Sequence, residues 1–108
     1  ANLQPYKVYT ALLTQSGTNA PVATVLENTL GGAVVWSRNS TGSYLGTLSG
    51  AFTIDKVVCF TGGVTNSENI RHIAARNASD TVVVQSYFSG AKQDGITSGV
   101  SIEIRVYN

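Results

Sequence analysis

Charged side chains are scarce in this chain: they make up 12% of its 108 residues, about half of the ~25% usual in soluble domains. Seven Lys and Arg residues against six Asp and Glu residues leave a formal net charge of +1. Only Arg71, His72 and Arg76 bring basic side chains close together in the sequence. Nucleic-acid binding draws on several phosphate contacts from a basic patch. We therefore expect no nucleic acid among the partners.

Long apolar runs are also missing from the sequence. No window approaches the roughly 18 consecutive apolar residues of a membrane span, so we expect no membrane partner. Residues 1–5 have neither the basic segment nor the apolar segment of a secretory signal peptide. No signal peptide is therefore visible, although a signal removed earlier would leave the same sequence.

Metal-binding side chains are equally rare, with one cysteine and one histidine. A zinc site needs three or four Cys, His or carboxylate ligands at close quarters, which Cys59 and His72 cannot supply alone. A single cysteine also forms no intrachain disulfide. Cys59 lies in the apolar run 57–60, where we expect a buried thiol that packs as a small hydrophobic side chain.

Catalytic motifs do not occur either. The chain contains no G-x-S-x-G, no phosphate-binding G-x-x-x-x-G-K-[ST] and no G-x-G-x-x-G. Any nucleophilic triad must use His72, for which we expect a structural role instead. Six acidic residues allow many carboxylate pairs, so a small hydrolase stays open as a third hypothesis. We expect no enzyme, no catalytic, cofactor-binding or metal-ligating residue, and no cofactor.

The sequence does contain short β-branched runs separated by Gly, Ser, Asn and Asp. This rhythm is typical of all-β sandwiches and barrels. The predicted strands cover residues 6–14, 22–28, 33–38, 44–48, 57–61, 70–76, 81–88 and 99–107, with a four-residue turn at 39–42 and a polar loop at 89–99. We predict one domain over residues 1–108, an antiparallel β-sandwich or jelly-roll-like barrel of about eight strands.

Residues 70–76 are the one ambiguous element. Ile70, Ile73 and Ala74 fit a helical stripe, whereas Ile70, His72 and Ala74 fit one face of a strand. Isolated helices shorter than about 12 residues are marginal, and the neighbouring runs are strands. The context favours a strand.

Four aromatic residues are candidates for an interface or for stacking on a ligand: Trp36, Tyr44, Tyr87 and Tyr107. Aromatic rings are enriched at subunit interfaces and stack on the apolar faces of sugar rings. For Trp36, within the apolar run 34–36, we favour a position in the core.

Four stretches of the first half carry a resemblance. They are PYKVYTALLTQSG at 5–17, APVATVLENTLG at 20–31, VWSR at 35–38 and GSYLGTL at 42–48. This half resembles small proteins of tailed phages and prophage-like regions, of the Bacteroidetes phage type. The resemblance implies a virion component made in the host cytoplasm, and it transfers no catalytic or ligand-binding residue.

These observations lead to two functional hypotheses. The first is a non-enzymatic phage structural or accessory protein (capsid decoration, fibre or tail component) that forms a homo-oligomer and contacts other virion proteins. The alternative is a carbohydrate-binding or adhesive β-sandwich with glycans as partners and exposed aromatic rings. In the first hypothesis, the strand at 100–107 pairs within its own chain or is donated to a neighbouring copy.

Overall fold

In the computed structural model, which describes residues 5–62 and 69–108, the β-branched runs form antiparallel strands. These two ranges contain nine strands and no helix. The strands are β1 (Tyr6–Thr14), β2 (Val22–Asn28), β3 (Val35–Ser40), β4 (Ser43–Thr47), β5 (Val57–Gly62), β6 (Ile70–Ala78), β7 (Thr81–Phe88), β8 (Ala91–Lys92) and β9 (Val100–Tyr107). The all-β class and the β-sandwich are confirmed, with one strand more than expected.

The strands form two sheets. Sheet A has the order β2-β1-β9-β5, and sheet B has the order β3-β4-β7-β6 with β8 paired to β7. The chain therefore crosses between the sheets after β2, β4, β5 and β8. The edge strands β5 and β6 approach each other on one side of the sandwich. The edge strands β2 and β3 consequently lie on the other side.

The last strand, β9, pairs within its own chain. It runs antiparallel to β1, from Leu13↔Val100 to Tyr6↔Tyr107, and its second side pairs with β5. Both backbone edges of β9 are thus occupied inside the sheet. Of the two arrangements open for this strand, the structure has the internal one.

Residues 70–76 form a strand, as the sequence favours. Strand β6 covers these residues and extends two residues further, and its side chains alternate between half-buried and exposed along most of its length. A bulge at Asn77 lets Ala78 pair with Thr81 across the following turn. The tight connection to β7 therefore fixes which face of β6 is turned towards the core.

Two predicted loops are wrong in detail. The turn between β3 and β4 is Thr41–Gly42 rather than 39–42, because Ser40 already pairs with Ser43. The polar loop 89–99 contains β8, which returns along β7 after a two-residue turn. Ser89 and Gly90 both have positive φ, 51° and 86°, as hairpin turns of the primed type require. A two-residue strand is too short to leave a periodic signal in the sequence.

The core lies between the sheets, and the alternation of the strands fills it. Tyr9, Ala11 and Leu13 of β1 are fully buried, while the intervening residues of β1 face outward or towards solvent. From the other strands and loops, the largest fully buried side chains are Tyr44 of β4, Phe52, Ile102 and Ile104 of β9, and Val82 and Val84 of β7.

Trp36 and Tyr9 join the two sheets inside this core. The indole Nε1–H of Trp36 donates a hydrogen bond of 3.1 Å to the hydroxyl of Tyr9, and the ring centroids are 6.5 Å apart. A Cβ on Gly46 would lie 2.9 Å from Val34 Cγ1 and 3.0 Å from Trp36 Cη2. The absence of a side chain at this strand position therefore makes room for the indole ring.

Substituting Tyr9→Phe removes the acceptor of the buried indole N–H. Leaving a buried donor unpaired costs about 1–3 kcal/mol, so the free energy of unfolding should fall by that amount. Urea denaturation followed by Trp36 fluorescence measures the change. Tyr6→Phe is the matched control, because its ring lies on the partly exposed outer face of sheet A. Equal losses in both variants would contradict the role given to the hydrogen bond.

Candidate interaction surface

Two of the four candidate aromatic residues are core residues. Tyr44 has no exposed surface, and Trp36 is 8% exposed. Neither ring offers a face on which a sugar or a second copy could stack, which corrects their candidacy as ligand-stacking or interface residues. For Trp36, its burial supports the core position that the sequence favours.

The Tyr44 hydroxyl belongs to a polar network at the end of the sandwich where β1 ends. It lies 2.8 Å from Asp94 Oδ1 and 2.9 Å from Gln15 Oε1, two acceptors for one hydrogen. Burial raises the pKa of Tyr44 to about 12, so the hydroxyl keeps its proton. The backbone N–H of Gly42 donates to the same oxygen of Asp94 at 2.9 Å.

The second oxygen of the Asp94 carboxylate accepts from Arg38. Arg38 Nη2 and Nε lie 2.8 Å and 3.1 Å from Asp94 Oδ2. These hydrogen bonds lower the pKa of Asp94 to about 2. One carboxylate thus fastens the loop after β8 to both strands of the β3–β4 hairpin and to the turn between them. Its role is structural.

His72 and Cys59 have structural surroundings as well. His72 Nε2 lies 3.1 Å from Thr97 Oγ1, and burial lowers the pKa of the imidazole. The Thr97 side chain is itself buried, so a substrate has no access to its hydroxyl. Burial raises the pKa of Cys59 to about 11, which keeps the thiol protonated near neutral pH. Among the described residues, no three His, Cys, Asp or Glu side chains are grouped to hold a metal ion.

The other two candidates, Tyr87 and Tyr107, lie on opposite outer faces of the sandwich. Tyr87 is on sheet B, with the Arg71 guanidinium 5.1 Å from its ring centroid. Tyr107 is on sheet A, 5.1 Å from the ring of Tyr6 at an interplanar angle of 50°. The four candidate residues therefore do not form a common site.

The outer face of sheet A bears a cluster of rings around one arginine. The Arg105 guanidinium lies 4.8 Å from the Tyr6 ring centroid and 5.0 Å from that of Phe60. It also forms an ion pair with Glu103 beside it on β9. Phe60 is 48% exposed. Because the two charges neutralise each other, this face presents rings and little net charge to solvent.

Among the described strands, β2 carries the largest number of exposed large apolar side chains. Val22, Val25 and Leu26 are 69%, 51% and 61% exposed, and we call these three residues the apolar edge. Strand β2 ends the order of sheet A, so in the described part of the chain its second backbone edge has no partner strand. Natural sheets protect such edges with charges, prolines or bulges. Here the protection is limited to Pro21, Glu27 and a bulge at Leu26.

The exposure of β2 could not be predicted from the alternation of its residues. Val22, Thr24 and Leu26 alternate with Ala23, Val25 and Glu27, and this alternation does not indicate which face is exposed. In the structure the bulge shifts the register between Thr10 and Ala11 and leaves Leu26 without a partner. The available signal was that both faces of this strand carry large apolar residues.

Comparisons with known proteins add no family to these observations. The chain matches no protein-family model, no curated protein and no solved structure. None of the described residues belongs to a helix that is long and apolar enough to cross a membrane.

Asp94 makes the stability of the protein dependent on acid. Its pKa is lowered to about 2 in the folded state, below the unfolded value of about 3.9, so the folded state binds this proton less readily. The stabilising contribution should be complete above about pH 4 and lost as the pH falls through about 2. Urea denaturation at a series of pH values should show the gap between the native chain and Asp94→Asn narrowing over this window.

Asp55→Asn is the control for this experiment, because Asp55 is an exposed carboxylate outside the network. Its gap from the native chain should stay small across the same pH range. A gap for Asp94→Asn that stays constant down to about pH 2 would contradict the role given to the Arg38–Asp94 ion pair.

Proposed function

We propose that this protein is a non-enzymatic structural module that assembles as a homo-oligomer through the apolar edge of β2. The observation that carries the proposal is the 51–69% exposure of Val22, Val25 and Leu26 on an edge strand of seven residues. An exposed hydrophobic edge strand is a template for pairing with another chain. A second copy placed there would cover both the side chains and the free backbone groups.

A second copy is chemically suited to this edge. In an antiparallel pair of identical strands centred on Val25, Glu27 of one copy lies opposite Ala23 of the other, so the two carboxylates do not oppose each other. Glu27 is the only charged residue of β2. Pairing of two β2 strands would join the A sheets of both copies into one continuous sheet.

The outer faces of the two sheets carry few charged groups that would repel a second copy. On the outer face of sheet A, Arg105 and Glu103 pair with each other. On the outer face of sheet B, the guanidinium of Arg71 lies over the Tyr87 ring. Low surface charge gives weak protection against association, so an oligomer is the expected state of such a surface.

A virion role of the module is proposed separately from its assembly. We propose that the module works in a virion, as a capsid decoration, fibre or tail protein, which is what the resemblance suggested for residues 5–48 implies. Compact all-β units that pack through identical contacts fit this use. The carbohydrate-binding alternative no longer has Trp36 and Tyr44 as stacking residues, because both are buried, and keeps the more accessible Tyr107.

Lysine substitutions on the edge strand test the assembly. Val25→Lys and Leu26→Lys each place a charge where we expect a second copy, and each should raise the dissociation constant of the oligomer about tenfold or more, equivalent to ~1.4 kcal/mol. Sedimentation velocity at a series of micromolar concentrations measures the change. Circular dichroism of the same samples checks that the sandwich is intact.

Ile54→Lys is the matched control, because Ile54 is 64% exposed but lies outside the strands. It should leave the dissociation constant unchanged. A native chain that stays monomeric at every concentration would refute the proposal. An equal effect of Ile54→Lys would refute the assignment of the interface to β2.

The virion role has its own test. Purified particles of a phage that encodes the chain should contain it in multiple copies per particle, as measured by quantitative mass spectrometry. A known major capsid protein of the same particle serves as the internal standard. Recovery of the chain only from the soluble lysate, with none in the particles, would overturn the virion role and leave the assembly proposal to its own test.

A further inference from the structure

A cavity of about 390 Å³ opens at the end of the sandwich where β1 begins and β9 ends. The opposite end is closed by the Asp94 network, so the two ends of the molecule differ. Ligand sites commonly have volumes of ~300–1,000 Å³, which makes this cavity large enough for one small molecule. It is separate from the apolar edge, none of whose three residues lines it.

Two lysines line the cavity without a carboxylate partner. Lys7 comes from β1 and Lys56 from the residue before β5, and no Asp or Glu is among the lining residues. Within residues 5–62 and 69–108, the ion pairs are Arg38–Asp94 and Arg105–Glu103. Both ammonium groups are therefore available to an external anion.

The remaining lining matches a small hydroxylated molecule. Ser49 and Thr53 supply hydroxyl groups, and Leu30 with Val106 forms an apolar wall. Tyr107, partly exposed, lines the cavity from the end of β9. A few polar groups placed on an apolar wall are typical of sites that bind small molecules, and the hydroxyl groups suit a hydroxylated one.

The loop beside the cavity is held in place. Gly50 has a positive φ of 67°, and its N–H donates to Asp80 Oδ1 at 2.7 Å. The neighbouring carboxylate of Asp80 is thus engaged by the loop backbone. Gly50 and Gly31 also leave open space where a side chain would be, which keeps the mouth of the cavity wide.

We propose that this cavity binds a small anionic sugar, with its carboxylate or phosphate held by Lys7 and Lys56 and its hydroxyl groups bound by Ser49 and Thr53. The two sources of the anionic group, a uronic acid and a sugar phosphate, share the chemistry that two ammonium groups recognise. The site is independent of the β2 interface, so a failure of one proposal does not affect the other.

Titration followed by ¹H–¹⁵N NMR tests the site. Glucuronate and glucose 6-phosphate should each shift the amide signals of Lys7, Gly31, Gly50 and Lys56. The sugar with the lower dissociation constant shows whether the site prefers a carboxylate or a phosphate. Neutral glucose should bind at least about tenfold more weakly, because it lacks the anionic group that pairs with the two ammonium groups. Equal binding of glucose would overturn the role of the lysines.

Charge-removing variants provide the second readout. Lys7→Gln and Lys56→Gln should each weaken glucuronate or glucose 6-phosphate binding about tenfold, whereas Lys92→Gln, on β8 at the opposite end, should not. Equal weakening by Lys92→Gln, or no shifts with either anionic sugar, would refute the site. Inorganic phosphate that binds as tightly as glucose 6-phosphate would overturn the assignment to a sugar.

Discussion

The pairing of the last strand with the first is the constraint on which the rest of the structure depends. Strand β9 lies between β1 and β5, and its alternating residues place Ile102 and Ile104 in the core. Because β9 occupies one side of β1, strand β2 has to take the other side. Nothing in the described chain continues the sheet beyond β2. The apolar edge is thus exposed because β2 is the last strand in the order of sheet A.

The two ends of the sandwich differ in their loops. At the end where β1 finishes, the Asp94 carboxylate accepts hydrogen bonds from Arg38, Gly42 and Tyr44, and this partly buried polar network joins the loops. At the end where β9 finishes, the loops leave a cavity with Lys7 and Lys56 at its walls. One end therefore supports the fold, and the other is open to a ligand.

Local pattern was sufficient for most of the fold. The alternation of residues 100–107 and the valines of 81–88 predict β9 and β7 correctly, because period-two burial is a property of each strand alone. The two-residue β8 was missed, since its pairing depends on a turn with two positive φ values and leaves no periodicity. The turn at Thr41–Gly42 was placed less well, because its exact position is set by the register of β3 and β4.

The candidate surface was much harder to predict, because it depends on distant contacts. Asp94 reads as an isolated acid in the sequence, yet its partner Arg38 lies 56 residues away. Tyr44 was a candidate for an interface or for stacking on a ligand, and only the structure shows that its ring is buried. The exposure of β2 follows from its place at the end of a sheet, which no local pattern encodes. The sequence pattern thus predicts the strands well, but not the order of the strands in the sheets or the contacts between distant residues.

Amide hydrogen exchange measured at low and high protein concentration shows whether β2 pairs with a second copy of itself. Pairing through β2 predicts that amides in residues 22–28 become more protected as the concentration rises, while those of the internal strand β9 do not change. Exchange in 22–28 that is independent of concentration, in a range where oligomers form, would contradict pairing through β2 and place the interface elsewhere.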